Sequence, residues 1–242
     1  MIDSLIAEKH LRYQQQAEWT KPFRNYLFKR YFKDNKIKIL EVGCGTGAVL
    51  SEIKNEQCEK VKLFTGVDID QTAINYAKKQ NFIELFRADG KELPFSDRCF
   101  DLVFCHYFLL WVKDPLEFLA EMKRVTKPGG ICAAMAEPCY EELRAEPKEL
   151  FELADKQRKA LSDCGANVNF GSQLNYYFKE AGFSEIECGK YRENQCDTDF
   201  IQNEIRQMVI DSNIGNFRFD SKVKYSYSVP TYFAFAEKSK VE

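Results

Sequence analysis

Histidine is scarce in this chain, with only His10 and His106, and none of the nine cysteines are spaced as Cys-x-x-Cys. That combination excludes the usual structural zinc site, and no metal is expected. No apolar run is long enough to span a bilayer, and the first residues lack a basic stretch followed by an apolar one. A cytoplasmic protein without a membrane partner is expected, a compartment in which free cysteines serve as small buried hydrophobes. Net charge is missing too. Thirty-five Lys and Arg meet 37 Asp and Glu, a balance of −2, so no global field recruits nucleic acid. The local exception is 21–38, where Lys21, Arg24, Lys29, Arg30, Lys33, Lys36 and Lys38 face Asp34 alone. Its plain reading is the solvated face of a helix.

What is present is a chain of 242 residues, 45% hydrophobic, with 20 Phe and 12 Tyr. That suits one domain with a Phe-packed core. Residues 3–33 read as helical, with Pro22 after Thr20-Lys21 as a helix start and Phe23, Tyr26, Leu27 and Tyr31 on one face. Strands follow at 37–42, 61–67, 83–88 and 100–105. Asp70 reads as the cap of a helix that turns Ala73, Ile74 and Ala77 inward. Asp114-Pro115-Leu116-Glu117 reads as a capping box, and Lys127-Pro128-Gly129-Gly130 as the turn into a strand at 131–136. Alternating strands and helices imply a doubly wound parallel sheet. Beyond 137 the rhythm loosens: helix without strand at 141–164, helix at 172–181 closed by Gly182, strand at 183–188, helix at 198–211 and a final strand at 225–236.

The chemistry gathers at the ends of the early strands. Ile39-Leu40-Glu41-Val42-Gly43-Cys44-Gly45-Thr46-Gly47 is a buried strand running into a glycine loop, and Gly66-Val67-Asp68-Ile69-Asp70 follows about twenty residues later. Glycines allow a ligand close to the backbone, and a carboxylate ending the second strand can accept from ribose hydroxyls. Gly43-x-Gly45-x-x-Ala48 also satisfies the dinucleotide fingerprint, so the loop alone leaves nicotinamide, flavin and S-adenosylmethionine open. Glu41 beside the loop is unwelcome near a pyrophosphate and suits an ammonium and a sulfonium. Asp89-Gly90 after the third strand can meet an adenine edge. The run 100–112 ends in a bulky aromatic turn at the carboxyl end of the sheet, where open α/β sheets bind ligands.

With these pieces in order, the chain resembles a class I S-adenosylmethionine-dependent methyltransferase of the small-molecule, type 11-like kind. The resemblance rests on ILEVGCGTG at 39–47, GVDID at 66–70, ADGKELPF at 88–95, FDLVFCHYFLLWV at 100–112 and VTKPGG at 125–130, and covers roughly 37–137, with a fainter echo towards 190. It implies a Rossmann-like sheet of seven strands, mostly parallel with an antiparallel last strand, in a single domain over 1–242. A helical lid at 1–36 and cap insertions at 138–170 and 190–222 would choose the acceptor. S-adenosyl-L-methionine is the implied cofactor. Gly43, Cys44, Gly45 and Gly47 would wrap its methionine half, with Glu41 and the chain at Cys105–His106 near the amino group. Asp68 would hold the ribose, Ile69 would stack on adenine, and Asp89 and Gly90 would contact the base. His106 is the candidate catalytic base, with Glu137, Tyr140 and Glu141 as alternatives. Tyr13, Trp19, Tyr107, Trp111 and Tyr140 are the candidate pocket walls. The expected reaction is methyl transfer to a small organic molecule. An RNA methyltransferase, a dinucleotide reductase and a non-catalytic cofactor-binding partner remain as other readings.

Overall fold

The structure, a computed structural model, describes residues 2–33, 36–80, 84–191, 198–213 and 217–240. The chain runs α1 (Ile2–Tyr31), β1 (Ile37–Val42), α2 (Ala48–Gln57), β2 (Val61–Asp68), α3 (Gln71–Ala77), β3 (Glu84–Arg87), β4 (Phe100–Cys105), α4 (Pro115–Val125), β5 (Thr126–Pro138), β6 (Arg144–Glu146), α5 (Lys148–Asp163), α6 (Phe170–Glu180), β7 (Glu187–Tyr191), α7 (Thr198–Asp211), β8 (Ser226–Ser228) and β9 (Thr231–Glu237). Seven strands form one sheet in the order β3-β2-β1-β4-β5-β9-β7, with β9 antiparallel to both neighbours, as the resemblance implied. Among the described residues, no helix is long and apolar enough to cross a membrane.

The central strands are continuous apolar runs because both faces are covered. Ile39, Leu102 and Phe104 point to one side, against Leu27 and Phe28 of α1 and Val49, Leu50 and Ile53 of α2. Leu40, Val42 and Val103 point to the other, against Phe118, Leu119 and Met122 of α4 and Leu174 and Phe178 of α6. The alternation follows the two-residue period of a strand. Register then levels the strand ends: Glu41 lies beside Gly66 on one flank and Phe104 on the other. The order reverses at β1, which opens a crevice at this edge. A third apolar cluster lies apart, built from Leu150, Leu153 and Ala154 of α5, Ile201, Ile205 and Met208 of α7, and Tyr227 of β8.

Several local expectations are corrected. Helix α1 passes through Pro22 rather than starting there. The turn before Pro22 is held by side chains: Thr20 Oγ1 donates to Ala17 O at 3.0 Å and Arg24 Nη2 donates to the same carbonyl at 2.7 Å. Asp70 caps α3 as expected, accepting from Thr72 N at 2.8 Å. Asp114, however, makes no side-chain cap bond, and Glu117 pairs with Lys91 at 2.7 Å instead of closing a capping box. Lys127-Pro128-Gly129-Gly130 lies inside β5, where Gly129 N and Gly130 O pair with Lys238. The 141–164 stretch contains strand β6, paired with β8, and the single final strand divides into β8 and β9. The strand placed at 183–188 begins at Glu187.

The basic run at 21–38 is not merely a solvated face. Arg24 is 2% exposed and binds Glu52 of α2, Lys21 reaches Glu56 at 2.9 Å, and Arg30 reaches Glu187 of β7 at 2.7 Å. Removing one partner of a buried pair leaves an uncompensated charge. Arg24→Met is expected to lose about 3 kcal/mol of folding stability, measured by urea unfolding; a loss no larger than that of an exposed lysine variant would show that the guanidinium is dispensable.

Glu137, at the end of β5, is fully buried. Its Oε1 accepts from Phe108 N at 3.0 Å and Leu109 N at 2.8 Å, and its Oε2 accepts from Leu110 N at 3.0 Å. One side chain thereby orders the turn that follows β4. Burial outweighs these bonds and pushes its carboxyl up to about 8. The folded state therefore holds a proton that the unfolded chain has already released, and stability contributed by Glu137 falls as pH rises from the ordinary carboxylate range through about 8. Glu137→Gln places an amide nitrogen against Leu110 N–H and is expected to cost about 1–3 kcal/mol at low pH. The gap from wild type should narrow as pH rises through that window, which melting temperatures across pH would show; a constant gap would remove Glu137 as the titrating group.

Candidate active site

At the carboxyl ends of β1, β2, β4 and β5 lies a cavity of about 550 Å³, closed by the first half of α1 and by α5 and α7. Its floor is the loop between β1 and α2. Gly43 N and Cys44 N donate to Val67 O at 2.8 and 2.9 Å, pinning the loop to β2. Gly43 and Gly45 have φ of +73° and +50°, a region that other residues resist. A Cβ on Gly43 would stand 2.2 Å from the Phe108 ring, and one on Gly45 would stand 3.2 Å from Tyr13. The loop is thus closed down on by one aromatic ring from the β4 turn and one from α1.

Asp68, half-buried at the tip of β2, binds the loop directly. Its Oδ2 accepts from Gly45 N at 2.7 Å and its Oδ1 from Asp70 N at 2.8 Å. A carboxylate has further lone pairs beyond these two bonds. Glu41 is 2% exposed and lines the cavity. Its Oε2 has no hydrogen-bond partner, and burial holds its carboxyl well above the ordinary range. An unpaired buried acceptor beside a glycine cradle fits a ligand ammonium, so these residues suit the methionine half of S-adenosylmethionine.

His106 follows β4 and is buried. Its Nε2 lies 2.9 Å from Thr20 Oγ1, and burial together with the Arg24 charge holds it well below its usual range, in the neutral form. Burial raises the Cys44 and Cys105 thiols well above theirs, so neither is a ready nucleophile. Tyr107, at φ +49°, directs its hydroxyl to Thr231 Oγ1 at 3.2 Å.

The cavity brings together Glu41, Gly43, Cys44, Gly45, Asp68 and His106 with Tyr13, Trp19, Tyr107, Trp111 and Tyr140. Gly47, Ile69, Asp89, Gly90 and Cys105 stand outside its lining. Ile69 is 64% exposed, and Asp89 accepts from Lys91 N at 3.0 Å. Gly90 packs so closely on Phe118 and Val42 that a Cβ would come within 2.9 Å of both. Glu141 is tied to Asn169, accepting from its side-chain amide at 3.0 Å.

Sequence reading missed the side chains of the far wall. Arg12 binds Glu204 of α7 through both guanidinium nitrogens, at 2.5 and 3.3 Å, and lies 4.8 Å from the Trp19 ring centre. Gln157, Gln207 and Asp211 complete that wall. Helical spacing offered a partial signal, since Arg12, Gln16 and Trp19 share a face, as do Glu204, Gln207 and Asp211. On the other side of Trp19 lies a separate groove of about 820 Å³, lined by Phe23, Tyr191, Phe200 and Phe233, which offers little polar chemistry.

Comparison with known proteins agrees with this geometry. Residues 40–134 match the methyltransferase domain family. Demethylmenaquinone methyltransferase of Staphylococcus aureus is 29% identical over 182 residues, covering 65% of this chain and 74% of the relative. A Bacillus halodurans crystal structure, provisionally assigned as a methyltransferase, superposes with a TM-score of 0.61 at 18% identity, covering 89% of this chain and 98% of that one. The Haemonchus contortus phosphoethanolamine N-methyltransferase 2, in complex with S-adenosyl-L-methionine, has the same fold at a TM-score of 0.57 and 19% identity, covering 88% of this chain and 51% of that one. With the glycine loop, the sheet order and the matched domain in agreement, the chain carries a methyltransferase domain at 40–134, within a fold shared with a methyltransferase solved in complex with S-adenosyl-L-methionine.

Proposed function

We propose that this enzyme methylates a small organic acceptor held between the glycine loop and the wall made by α1, α5 and α7. The observation that carries the reading is the cavity that places Glu41 and Asp68 at one end and side chains of three helices at the other. A cavity of about 550 Å³ is the size of a small-molecule site. Three of the seven cationic residues that kept an RNA substrate open are engaged within the protein: Lys21, Arg24 and Arg30 are paired with Glu56, Glu52 and Glu187.

The cofactor supplies a methyl carbon already activated by a sulfonium. The protein has to hold the ligands in line and exclude water, which a preorganised site does at no cost during reaction. Glu41 would receive the cofactor's ammonium, Asp68 its ribose hydroxyls, and the backbone at Gly43 to Gly45 its methionine portion. These residues would hold the acceptor's lone pair in line with that methyl carbon, whose transfer would leave the carbon–sulfur bonding electrons on sulfur. Tyr13 and Trp19 would roof this site, with Tyr107, Trp111 and Tyr140 on its walls. His106 lines the same cavity with Nε2 beside Thr20 Oγ1, and a proton gained there would sit near the Arg24 charge. We assign His106 to positioning, with the acceptor arriving in a form that is already nucleophilic.

Two measurements test this reading. Glu41→Gln should weaken S-adenosylhomocysteine binding by at least about tenfold, because a charge-assisted bond becomes a neutral one. Since pairing with an ammonium lowers the raised Glu41 carboxyl, wild type should release a proton on binding at pH values between its bound range and its higher free range, and the variant should not. Calorimetry in buffers of differing ionisation enthalpy reads both; equal affinity and equal proton release would place the ammonium elsewhere. His106→Asn should lower the turnover number while leaving the shape of its pH profile unchanged. Loss of a basic limb from that profile would instead make His106 the proton acceptor.

A further inference from the structure

The wall of the cavity contributed by α5 and α7 carries a second orphaned acceptor. Gln157 of α5 is 4% exposed and lines the cavity. Its Nε2 donates to Asp211 Oδ2 at 2.7 Å. A carboxylate only accepts, so the amide must turn its nitrogen to Asp211 and its oxygen away. That oxygen, Gln157 Oε1, is buried without a hydrogen-bond partner. Gln207 treats Asp211 in the same way, its Nε2 donating to Oδ1 at 2.6 Å. Asp211 is therefore held by two neutral amides, and among the described residues no cation is paired with it.

The charges around this cluster all bear on what it can take. From α1, Arg12 is occupied by both oxygens of Glu204, and the exposed Glu8 and Lys9 at the rim offset each other. From α7 come Glu204, neutralised by Arg12, and Asp211, which is not neutralised. From the strand ends come Glu41 and Asp68. The balance is acidic. An anionic ligand would meet an arginine already committed and an unpaired carboxylate. A neutral alcohol would leave the Asp211 charge unmet. Around the same space stand Tyr140, Tyr227 and Trp111, whose ring faces favour a cation.

We infer that Gln157 and Asp211 form the anchor for a protonated amine on the methyl acceptor, so that the substrate class is a small organic amine whose ammonium donates to Gln157 Oε1 and Asp211. A primary ammonium has three donors, which matches one empty carbonyl and a carboxylate with spare lone pairs. The inference rests on the proposed transfer to a small acceptor and deepens it. The two acid ends of the cavity then divide their tasks: Glu41 serves the cofactor's ammonium and Asp211 the acceptor's.

The test uses the full chain, with and without saturating S-adenosylhomocysteine, and matched probes that differ only in the terminal group: tyramine, 2-(4-hydroxyphenyl)ethanol and 4-hydroxyphenylacetate, and likewise cyclohexylmethylamine, cyclohexylmethanol and cyclohexanecarboxylate. Ligand-observed NMR ranks their binding. The amine of each set should bind at least about tenfold more tightly than its alcohol or acid, the difference a charge-assisted bond makes. Asp211→Asn and Gln157→Leu should each remove most of that preference while S-adenosylhomocysteine affinity stays as in wild type. Melting curves verify folding, and the two variants stand independently should one fail. Amines that bind no better than the alcohols, no measurable amine binding, or a preference unchanged in both folded variants would each overturn the anchor. Calorimetry on the same preparations separates the two claims. An amine preference without S-adenosylhomocysteine binding would sink methyl transfer and leave the anchor standing, whereas cofactor binding without amine preference sinks the anchor alone.

Discussion

The buried Arg24 guanidinium is the contact on which the arrangement of the site depends. A cation with 2% exposure has to be met on every side. Its partners are Glu52 on α2, the Ala17 carbonyl and the Thr20 hydroxyl on its own helix. Meeting them fixes the rotation of α1 about its axis and its distance from α2. With α1 so placed, Thr20 reaches His106 at the end of β4, and His10, nearly three turns earlier, reaches Thr46 of the glycine loop at 2.8 Å. Tyr13 then falls over Gly45, and Arg12 falls opposite Glu204. The roof of the cavity follows from one side chain below it.

Two kinds of construction meet in the cavity. The end proposed for the cofactor is mainly backbone, with amides of the glycine loop pinned by Val67 O and Asp68, so its shape is set by the sheet. The opposite end, proposed for the acceptor, is made of long polar side chains on helices, two of which share an apolar cluster of their own. Glu137 joins the two by ordering the Phe108–Leu110 amides, which brings the Phe108 ring over Gly43. The groups that could have reacted are subdued by the same burial that orders them: the imidazole of His106 is neutral, and the thiols of Cys44 and Cys105 are protonated. Such a site suits the proposed role of aligning ligands more than a direct part in bond making.

The parts of this protein that could be read from sequence are those fixed by near neighbours. Strands β1, β2 and β4 are apolar throughout because each lies between two others, and Asp70 caps α3 through a residue two positions away. The glycine loop was legible because its positive φ values admit few other residues. What failed were features settled at a distance. Strands β6 and β8 have three residues each and exist by pairing across some eighty positions, as Ala145 with Tyr227. Pro22 reads as a helix start, yet Arg24 and Thr20 hold the turn before it. Glu117 satisfies a capping pattern but finds Lys91 on another loop. Gln157 and Asp211 are 54 residues apart, and nothing local marks either as half of a pair.

Helix α1 is unbroken over 30 residues, and at about 1.5 Å per residue it is a rod of about 45 Å. Its middle carries Tyr13 and Trp19 against the cavity, and its C-terminal end carries Arg30 against Glu187 on the outermost strand, β7. A rod transmits tilt along its length. One continuous helix therefore joins the roof of the cavity to the margin of the sheet at β7, with the buried Arg24 between the two.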